Sequence, residues 1–394
     1  MATIYTDNAA TTRLSDAALQ AMMPVFQGEY GNPSSLHHMG QRAKEILEDA
    51  RERIAACIGA QPGEIYFTSG GSEADNQAIL TAAQTGAKKG KKHIISSKFE
   101  HHAVLHTLDK LKEQGWEITL LDVYKEGIVR PQDVADAIRE DTALVTVMTA
   151  NNEVGTVQPI AEIGKICREK GVLFHTDAVQ AVGHIPVDVN EMNADMLSVS
   201  AHKFHGPKGV GFLYCKKGVY LRNLINGGAQ EKGKRAGTEN LPGIVGMTAA
   251  LEEAVANLDK NAAYISALRD RLIDGISTIE RSHLNGDRTQ RLPGTVNFCF
   301  EGIEGESLLL LLDQDGICAS SGSACTSGSL DPSHVLLAMG VPVAVAHGSL
   351  RLSLSEYNTP EEAEQIIASV HRIVPYLRSI SPVWERIMKG EVIE

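Results

Sequence analysis

A chain of 394 residues is too long for one hydrophobic core, so two domains are the expectation. Its composition, 43% hydrophobic and 22% charged, is that of a globular protein, while a formal charge of −12 disfavours nucleic-acid binding and no apolar stretch approaches the ~20 residues of a membrane helix. Six cysteines without a Cys-x-x-Cys pair, and an N-terminus without a signal-peptide pattern, predict a reducing, cytoplasmic compartment.

Strands and helices alternate from about Ser15 to Tyr220, which predicts an α/β fold with a largely parallel sheet and helices on both faces. Early in this region a strand over 64–69 runs into Gly70-Gly71-Ser72-Glu73, and a helix is predicted over 74–83. A glycine-rich turn between a strand and a helix N-terminus presents free backbone N–H groups to an anion. The alternative is that the glycines only end the strand.

Two later strands end in polar residues that suit one cofactor. The strand over 172–174 leads to Asp177, and the run 194–199 leads to Lys203, with a further strand over 210–214. Neighbouring strands would bring Asp177 and Lys203 to the same end of the sheet. Pyridoxal phosphate needs a lysine for its Schiff base and a carboxylate for its ring nitrogen. The alternatives are a solvated loop lysine and a strand-end Asp.

The pattern changes after a long helical stretch over 244–279. Short strands and helices follow, predicted over 295–300, 307–313, 317–319, 333–339, 349–353 and 361–379. They predict a smaller α+β domain. The boundaries are a large domain over 15–260 and a small domain made of 1–14 and 261–394.

Cys325 lies in a different setting from the other cysteines. The run 320–329 consists almost wholly of Ser, Gly, Ala and Thr, which predicts an exposed, mobile loop that can carry a reactive thiol. The other five cysteines lie in apolar strand or helix patterns and are expected to be buried and inert. The alternative for Cys325 is an idle surface thiol.

Together these motifs identify a family resemblance along nearly the whole chain. It rests on Asp7-Asn8-Ala9-Ala10-Thr11-Thr12, Gly31-Asn32-Pro33, Thr68–Glu73, Glu100-His101-His102, Asn151-Asn152-Glu153, His175–Gln180, Ser200–Gly209, Arg235–Asn240, Ser320–Cys325 and Arg351–Leu354. The chain resembles cysteine desulfurases of the NifS/IscS type, in the class V, fold-type I group of pyridoxal phosphate enzymes. The segments 325–334 and 346–351 resemble the nitrogen-fixation (NifS) branch most. The resemblance implies a mostly parallel seven-stranded sheet in the large domain.

The resemblance also implies roles for individual residues. Lys203 would bind the cofactor covalently and remove the Cα proton of the substrate, His101 would stack on the cofactor ring and move protons, and Cys325 would accept the sulfur. Other cofactor contacts would come from Gly71, Ser72, Asn152, Asp177, Gln180, Ser200, His202 and Thr238. Arg351, Asn32 and Asn152 would bind the substrate. Thr238 would reach the cofactor phosphate of the other subunit, which implies a homodimer.

The implied reaction converts L-cysteine to L-alanine and leaves a persulfide on Cys325, from which an iron–sulfur scaffold protein takes the sulfur. A selenocysteine lyase or a cysteine sulfinate enzyme on the same scaffold is the first alternative, because neither needs an enzyme thiol. A sulfur carrier that has kept the fold without catalysis is the second alternative. Retention of every cofactor residue argues against that carrier.

Three other motifs suggest different chemistry. The segment 228–235 resembles a P-loop, but Arg235 replaces the Ser/Thr that would hold magnesium, so nucleotide binding is rejected. His102 and His106 have zinc-ligand spacing but lack a further carboxylate or cysteine ligand. Cys325 could ligate an iron–sulfur cluster only transiently during sulfur transfer, since one thiol cannot hold a cluster.

Overall fold

A computed structural model describes residues 3–321 and 332–390 of the chain. The helices are α1 Asp16–Gln27, α2 His38–Cys57, α3 Gly71–Ala87, α4 His102–Glu113, α5 Pro131–Ala137, α6 Ile160–Lys170, α7 Gln230–Gly233, α8 Leu241–Ala256, α9 Leu258–Ile276, α10 Gly305–Gln314, α11 His334–Ala338, α12 Val343–Ala346, α13 Pro360–Ser379 and α14 Pro382–Met388. The strands are β1 Ile4–Tyr5, β2 Ile65–Thr68, β3 His93–Ser97, β4 Glu117–Leu121, β5 Thr142–Thr146, β6 Leu173–Asp177, β7 Met196–Ser200, β8 Gly211–Cys215, β9 Ser282–Leu284, β10 Thr295–Phe300, β11 Ile317–Cys318 and β12 Ser349–Ser353. Single 3-10 turns occupy Pro62–Glu64 and Ala201–Lys203.

The central sheet, as the described residues form it, has seven strands in the order β2-β8-β7-β6-β5-β3-β4. Its pairs are parallel except for β8, which runs antiparallel to both β2 and β7. Strands β3, β5, β7 and β8 are buried along their whole length, because helices cover both faces of the sheet. The mostly parallel α/β fold predicted from the sequence is confirmed.

A second, antiparallel sheet of the described chain has the order β12-β10-β9. Helices α9, α10 and α13 pack on it and form a separate apolar cluster. Ile4 joins this cluster because β1 pairs in parallel with β11, so the two ends of the chain share one core. The division into a large domain over 15–260 and a small domain made of 1–14 and 261–394 stays a prediction.

Two features of the fold differ from the sequence expectations. The helical stretch over 244–279 is two helices, α8 and α9, because the backbone of Asn257 leaves the helical region at φ −104° and ψ 7°. Helix α3 begins at Gly71, three residues earlier than predicted, so its N-terminus lies directly at the end of the Gly70 turn. The earlier start brings the free N–H groups of the helix closer to the sheet edge.

None of the helices within residues 3–321 and 332–390 is long and apolar enough to cross a membrane.

Candidate active site

The carboxyl ends of β6 and β7 hold the acid and the lysine predicted from the sequence. The two strands are parallel neighbours, and Asp177 lies opposite Ser198 in their register. Strand β7 ends at Ser200, and the 3-10 turn Ala201–Lys203 then carries Lys203 away from the sheet edge. The spacing argument therefore holds, because both side chains line one cavity at this end of the sheet.

The N-terminal segment closes the cavity over Lys203. The Nζ atom of Lys203 donates to the backbone carbonyl oxygens of Ala9 and Ala10, the latter at 2.9 Å. Behind the lysine, Nε2 of His184 lies 2.9 Å from the carbonyl oxygen of Lys203. Since a carbonyl only accepts, that nitrogen of His184 carries the proton. The lysine is thus held by its backbone on one side and by its amine on the other.

A glycine turn forms the anion cradle. Gly70 has φ 152°, which favours glycine, and α3 begins at the next residue. A Cβ atom on Gly71 would lie 2.6 Å from Cγ2 of Val179, so a side chain would fill the cradle. The N-terminus of α3 opens toward the same space as Ser72 and Ser200. The space left by the two glycines, together with the N–H groups at the N-terminus of the helix, fits a bound phosphate group.

The cavity of about 290 Å³ collects most of the residues singled out by the sequence. Its lining includes Gly71, Ser72, His101, Asn152, Asp177, Gln180, Ser200, His202, Lys203 and Arg351. A neighbouring cavity of about 410 Å³ shares the cradle residues with it and extends to Lys208. Ten residues that the sequence spreads over 281 positions thus meet at one site.

Two predicted residues lie away from the cavity, and a third is outside the described residues. Asn32 is exposed, and its side-chain oxygen accepts from the backbone N–H of Ser34 at 2.9 Å rather than lining the cavity. Thr238 is exposed and lies on neither cavity. Cys325 lies outside the described residues, and with it the sulfur-accepting and cluster-ligating roles predicted for it.

Burial sets the protonation of the acid and the imidazoles. It raises the pKa of Asp177 to about 6, although the backbone N–H of Val179 and the charge of Lys203 oppose the shift. Burial and the charge of Lys203 lower the pKa of His101 to about 4. The Nδ1 atom of His101 accepts from the N–H of Ala103 at 3.1 Å, so its proton lies on Nε2. The site at neutral pH therefore combines a carboxylate with a neutral imidazole.

Arg351 forms a buried cation at the far side of the cavity. Its Nη2 atom donates to Oδ1 of Asp7 at 2.8 Å, and Nη1 donates to the carbonyl oxygen of Asn152 at 3.0 Å. The Nε atom of Arg351 is buried without a hydrogen-bond partner in the described part of the chain. Since burying an unpaired donor costs free energy, this N–H is suited to a carboxylate entering the cavity.

Two acids of the site had no role in the sequence prediction. Asp75, one helical turn after Gly71, lines the floor of the cavity, and burial together with repulsion from Asp177 raises its pKa well above the usual range. Asp7 pairs with Arg351 as described above. The signal for Asp75 was its i+4 spacing from Gly71, which places both on one face of α3.

No group of three or more potential ligands for a metal ion occurs among the residues that the structure describes. His102 does lie against two other imidazoles, with ring centroids 4.8 Å from His106 and 4.5 Å from His334. The His106 ring is stacked on the His102 ring, and the His334 ring is tilted against it.

A lysine, an acid and a glycine cradle at the carboxyl end of a mostly parallel sheet define a pyridoxal-phosphate-dependent enzyme of fold type I. The chain belongs to the aminotransferase class-V family, whose model matches residues 4–366. It is 52% identical over 391 residues to the cysteine desulfurase IscS of Clostridium botulinum strain Hall, covering 98% of both chains. It is 53% identical over 380 residues to the cysteine desulfurase IscS of Methanosarcina thermophila, covering 96% of this chain and 94% of that one.

Solved structures show the same similarity. A NifS-like protein superposes with a TM-score of 0.90 at 41% identity, over 95% of this chain and all of the other. SspA, solved in complex with cysteine, has a TM-score of 0.80 at 37% identity, over 91% of this chain and 100% of the other. The predicted family and fold are confirmed. A place in the nitrogen-fixation branch, and a role in nitrogen fixation, stay predictions.

Proposed function

We propose that this chain is a cysteine desulfurase that converts L-cysteine to L-alanine and stores the sulfur as a persulfide on Cys325. The family and relatives 51–53% identical over nearly the full chain support a pyridoxal-phosphate-dependent cysteine desulfurase. The observation that carries the proposal is the convergence of Lys203, Asp177 and Arg351 on one cavity beside the glycine cradle. Lys203 can bind a cofactor covalently, and Asp177 can pair with a protonated ring nitrogen. The planar guanidinium of Arg351 can bind a carboxylate.

The proposed cofactor residues all line the cavity. Pyridoxal phosphate, when bound, supplies a protonated ring that stabilises negative charge at the substrate Cα. Lys203 would hold it covalently, and Asp177, a buried carboxylate on the same cavity, would keep the ring nitrogen protonated. Gly71 and Ser72 would bind the phosphate at the N-terminus of α3. Ser200 and His202 contribute further donors from the end of β7.

His101, Asn152 and Gln180 complete the cofactor site. His101, at the N-terminus of α4, would stack on the ring. It is neutral at pH 7, so it could pass a proton through Nε2 without placing a charge in the cavity. Gln180 already donates to the carbonyl of Ala9 at 2.9 Å, which fixes its amide near the lysine. Asn152 and Gln180 would contact the ring oxygen.

Arg351 would bind the substrate carboxylate, since its guanidinium is buried and planar and its Nε–H has no hydrogen-bond partner among the described residues. Asn32 is proposed to assist it once substrate is bound, although its side chain is now turned to Ser34. The amine of Lys203 would remove the Cα proton of the substrate. Lys203 and Arg351 line the same cavity, so an amino acid bound there by its carboxylate would lie within reach of both.

Cys325 completes the reaction. Its thiolate attacks the sulfur of the substrate, the substrate C–S bond breaks and an S–S bond forms. The carbon left behind takes a proton, so L-cysteine and the enzyme thiol become L-alanine and an enzyme persulfide. The described cysteines are unpaired and mostly buried, and burial raises the pKa of Cys167 and Cys215 to about 12. Those thiols are poor nucleophiles at neutral pH.

The proposal includes a homodimer, an iron–sulfur scaffold protein as sulfur acceptor and a cytoplasmic location. Large apolar side chains on and after α1 are exposed in the single chain, among them Met23, Phe26 and Tyr30. An apolar surface of this kind is typical of a subunit interface. Unpaired thiols agree with a reducing compartment.

The first test replaces Cys325 with alanine. The variant should bind pyridoxal phosphate and L-cysteine but release almost no alanine, because no nucleophile takes the sulfur. Its visible spectrum should still change on addition of L-cysteine, and wild type should gain one reductant-sensitive sulfur on Cys325 by mass spectrometry. Cys318→Ala is the matched control and should stay active. Full alanine release by the Cys325 variant would instead favour a lyase.

The second test replaces Lys203 with alanine. The variant should lose covalent cofactor and all turnover, since Lys203 is the lysine on the cavity that Asp177 also lines. Borohydride reduction followed by peptide mass mapping should find the adduct on Lys203 of the wild type. Lys208→Ala is the control, because Lys208 lines only the neighbouring cavity. An adduct on Lys208 would contradict the assignment.

A further inference from the structure

A buried ion pair fastens the segment around α7 to the central sheet. Arg51 of α2 and Glu231 form a two-bonded fork with N–O distances of 2.7 and 2.8 Å, and their side chains are 3% and 2% exposed. Glu231 also accepts from the N–H of Phe67 at 2.8 Å, and Arg51 donates to the carbonyl of Ile65 at 2.8 Å. Two hydrogen bonds therefore join Arg51 to Glu231, and two more attach the pair to β2.

The fastened segment is conformationally strained. Glu231 and Lys232 both have left-handed backbone angles, with φ of 47° and 57°. Residues with side chains pay a steric cost there, and such angles persist only where surrounding contacts enforce them. A buried ion pair adds little net stability, but it permits only one geometry because either partner left alone would be an unpaired buried charge. The pair therefore fixes the conformation of this segment.

A second set of contacts ties the same segment to the anion cradle. Arg235 donates through Nε to Oε1 of Glu73 at 2.9 Å, and Oε2 of Glu73 accepts from the N–H of Ser69 at 2.8 Å. Gln77, on α3, donates to the carbonyl of Lys234 at 2.9 Å. These hydrogen bonds fix the position of the segment relative to the turn and the helix that form the proposed phosphate site.

The segment ends at a residue that does not serve the cavity of its own chain. Thr238 follows the fastened stretch directly, and it is exposed and lies on neither of the two cavities described above. A strained, doubly fastened segment that presents a hydroxyl to the outside suits a contact with another molecule. The exposed side chains of Tyr220 and Ile225 lie close in sequence and provide apolar surface beside it.

We propose that Arg51 and Glu231 are positioning residues that hold segment 229–238 so that one copy of the chain presents Thr238 to the phosphate cradle of a second copy. The inference rests on the proposed homodimer with shared sites. It predicts that a change at Glu231 weakens cofactor binding in the partner's site and leaves the site of its own copy intact.

The test uses two mixed dimers, purified with different tags on the two copies. In the first, one copy carries Glu231→Gln and the other carries Lys203→Ala. In the second, one copy carries both changes and the other is wild type. Each mixed dimer has one working Lys203, so the affinity for pyridoxal phosphate is measured as the cofactor fixed by borohydride at increasing cofactor concentration.

The first mixed dimer should fix half the cofactor of wild type with wild-type affinity, because its working lysine receives the unchanged segment of the other copy. The second should bind about tenfold more weakly, as expected for loss of a hydrogen bond to a charged group. The reverse pattern would show that the pair acts within its own copy and would overturn the inference. Equal affinities in the two dimers would overturn it as well.

Folding and the proposed function are tested separately. If Glu231→Gln impairs folding by circular dichroism, Arg235→Gln takes its place in both dimers, because Arg235 is 22% exposed and its partner Glu73 keeps the hydrogen bond from the N–H of Ser69. The same order of affinities with a smaller difference is expected. If Lys203 is not the cofactor lysine, the Lys203→Ala homodimer alone will still fix cofactor. A wild-type protein that is monomeric in analytical ultracentrifugation would overturn both the homodimer and the inference.

Discussion

Arg351 shows how a single side chain can be prepared for a substrate. The guanidinium is 2% exposed, and two of its three nitrogens are already bound, one to Asp7 and one to the carbonyl of Asn152. These bonds fix the plane of the fork before substrate arrives, which lowers the cost of ordering on binding. The unpaired Nε–H then gives the incoming carboxylate a donor that water cannot easily reach.

Arg351→Lys keeps the charge and removes the planar fork. We expect kcat/KM for L-cysteine to fall about 10- to 100-fold, mainly through KM, because at least one charged hydrogen bond is lost. Steady-state alanine release and cofactor content measure the effect. Arg372→Lys, on the exposed face of α13, should leave both parameters unchanged. An unchanged KM in Arg351→Lys would contradict the substrate role.

The sequence predicted individual site residues correctly where a polar side chain follows the end of a strand and its chemistry suits the cofactor. Lys203 and Asp177 were found in this way, because parallel neighbours place their ends together. Asp75 was missed because an acid in the first turns of a helix usually serves the helix itself, and only tertiary packing shows that it is buried. Asp7 was missed because its partner Arg351 is at the other end of the chain.

Helix α11 illustrates how an element is anchored beside the site. Its N-cap Ser333 accepts from the N–H groups of Val335 and Leu336 at 3.1 and 3.3 Å, and its hydroxyl donates to Glu153. Burial raises the pKa of Glu153 to about 7, although the Ser333 hydroxyl and Arg351 oppose the shift. One serine therefore caps a helix and satisfies a buried acid next to Asn152.

Ser333→Ala should destabilise the protein by about 1–2 kcal/mol, because a cap and a hydrogen bond to a buried carboxyl are lost together. Thermal unfolding followed by circular dichroism should show a lower Tm. Ser333→Thr keeps the hydroxyl and should recover most of the loss. If the alanine and threonine variants melt together, the hydroxyl has no such role.

Element boundaries were predictable where local chemistry set them. Strands β10 and β12 occur at the predicted residues, bounded by glycine turns and alternating apolar positions. The break at Asn257 was not predicted, because the apolar period continues across it and only the packing of α8 and α9 on different cores separates them. No direction was predicted for β8, although the ten residues between β7 and β8 are too few for a parallel crossover and favour the antiparallel pairing.

Folding of the whole molecule buries several acids and thereby changes their pKa. Glu100 is fully buried between β3 and β5, accepts from the N–H of Met148, and has its pKa raised by burial to about 8. The folded state therefore holds a proton on Glu100 that the unfolded state releases near pH 4.5. Stability from this group is present below pH 4.5 and is lost as the pH rises toward 8.

Glu100→Gln should remove this dependence. The Tm of the variant relative to wild type should rise steadily from pH 5 to pH 8. The amide is neutral in both states, whereas the carboxyl of Glu100 ionises in the unfolded wild type and keeps its proton in the folded one. Thermal unfolding at four pH values in this range measures the difference. Glu162→Gln, on the exposed side of α6, should give a constant difference. A flat or falling curve for Glu100→Gln would show that Glu100 is ionised in the folded protein.

The pairing of the first strand with residues near the end of the chain determines when the site can form during synthesis. Strand β1 pairs with β11, and the N–H of Ala9 donates to Ser353 at 2.8 Å, while Ala9 and Ala10 bind Lys203. A ribosome releases residue 4 long before residues 317 and 353. The N-terminal segment therefore waits without these partners while the intervening chain is made. The carbonyl partners of Lys203 reach their places only after residue 353 has emerged, so we expect cofactor loading to follow that point of synthesis.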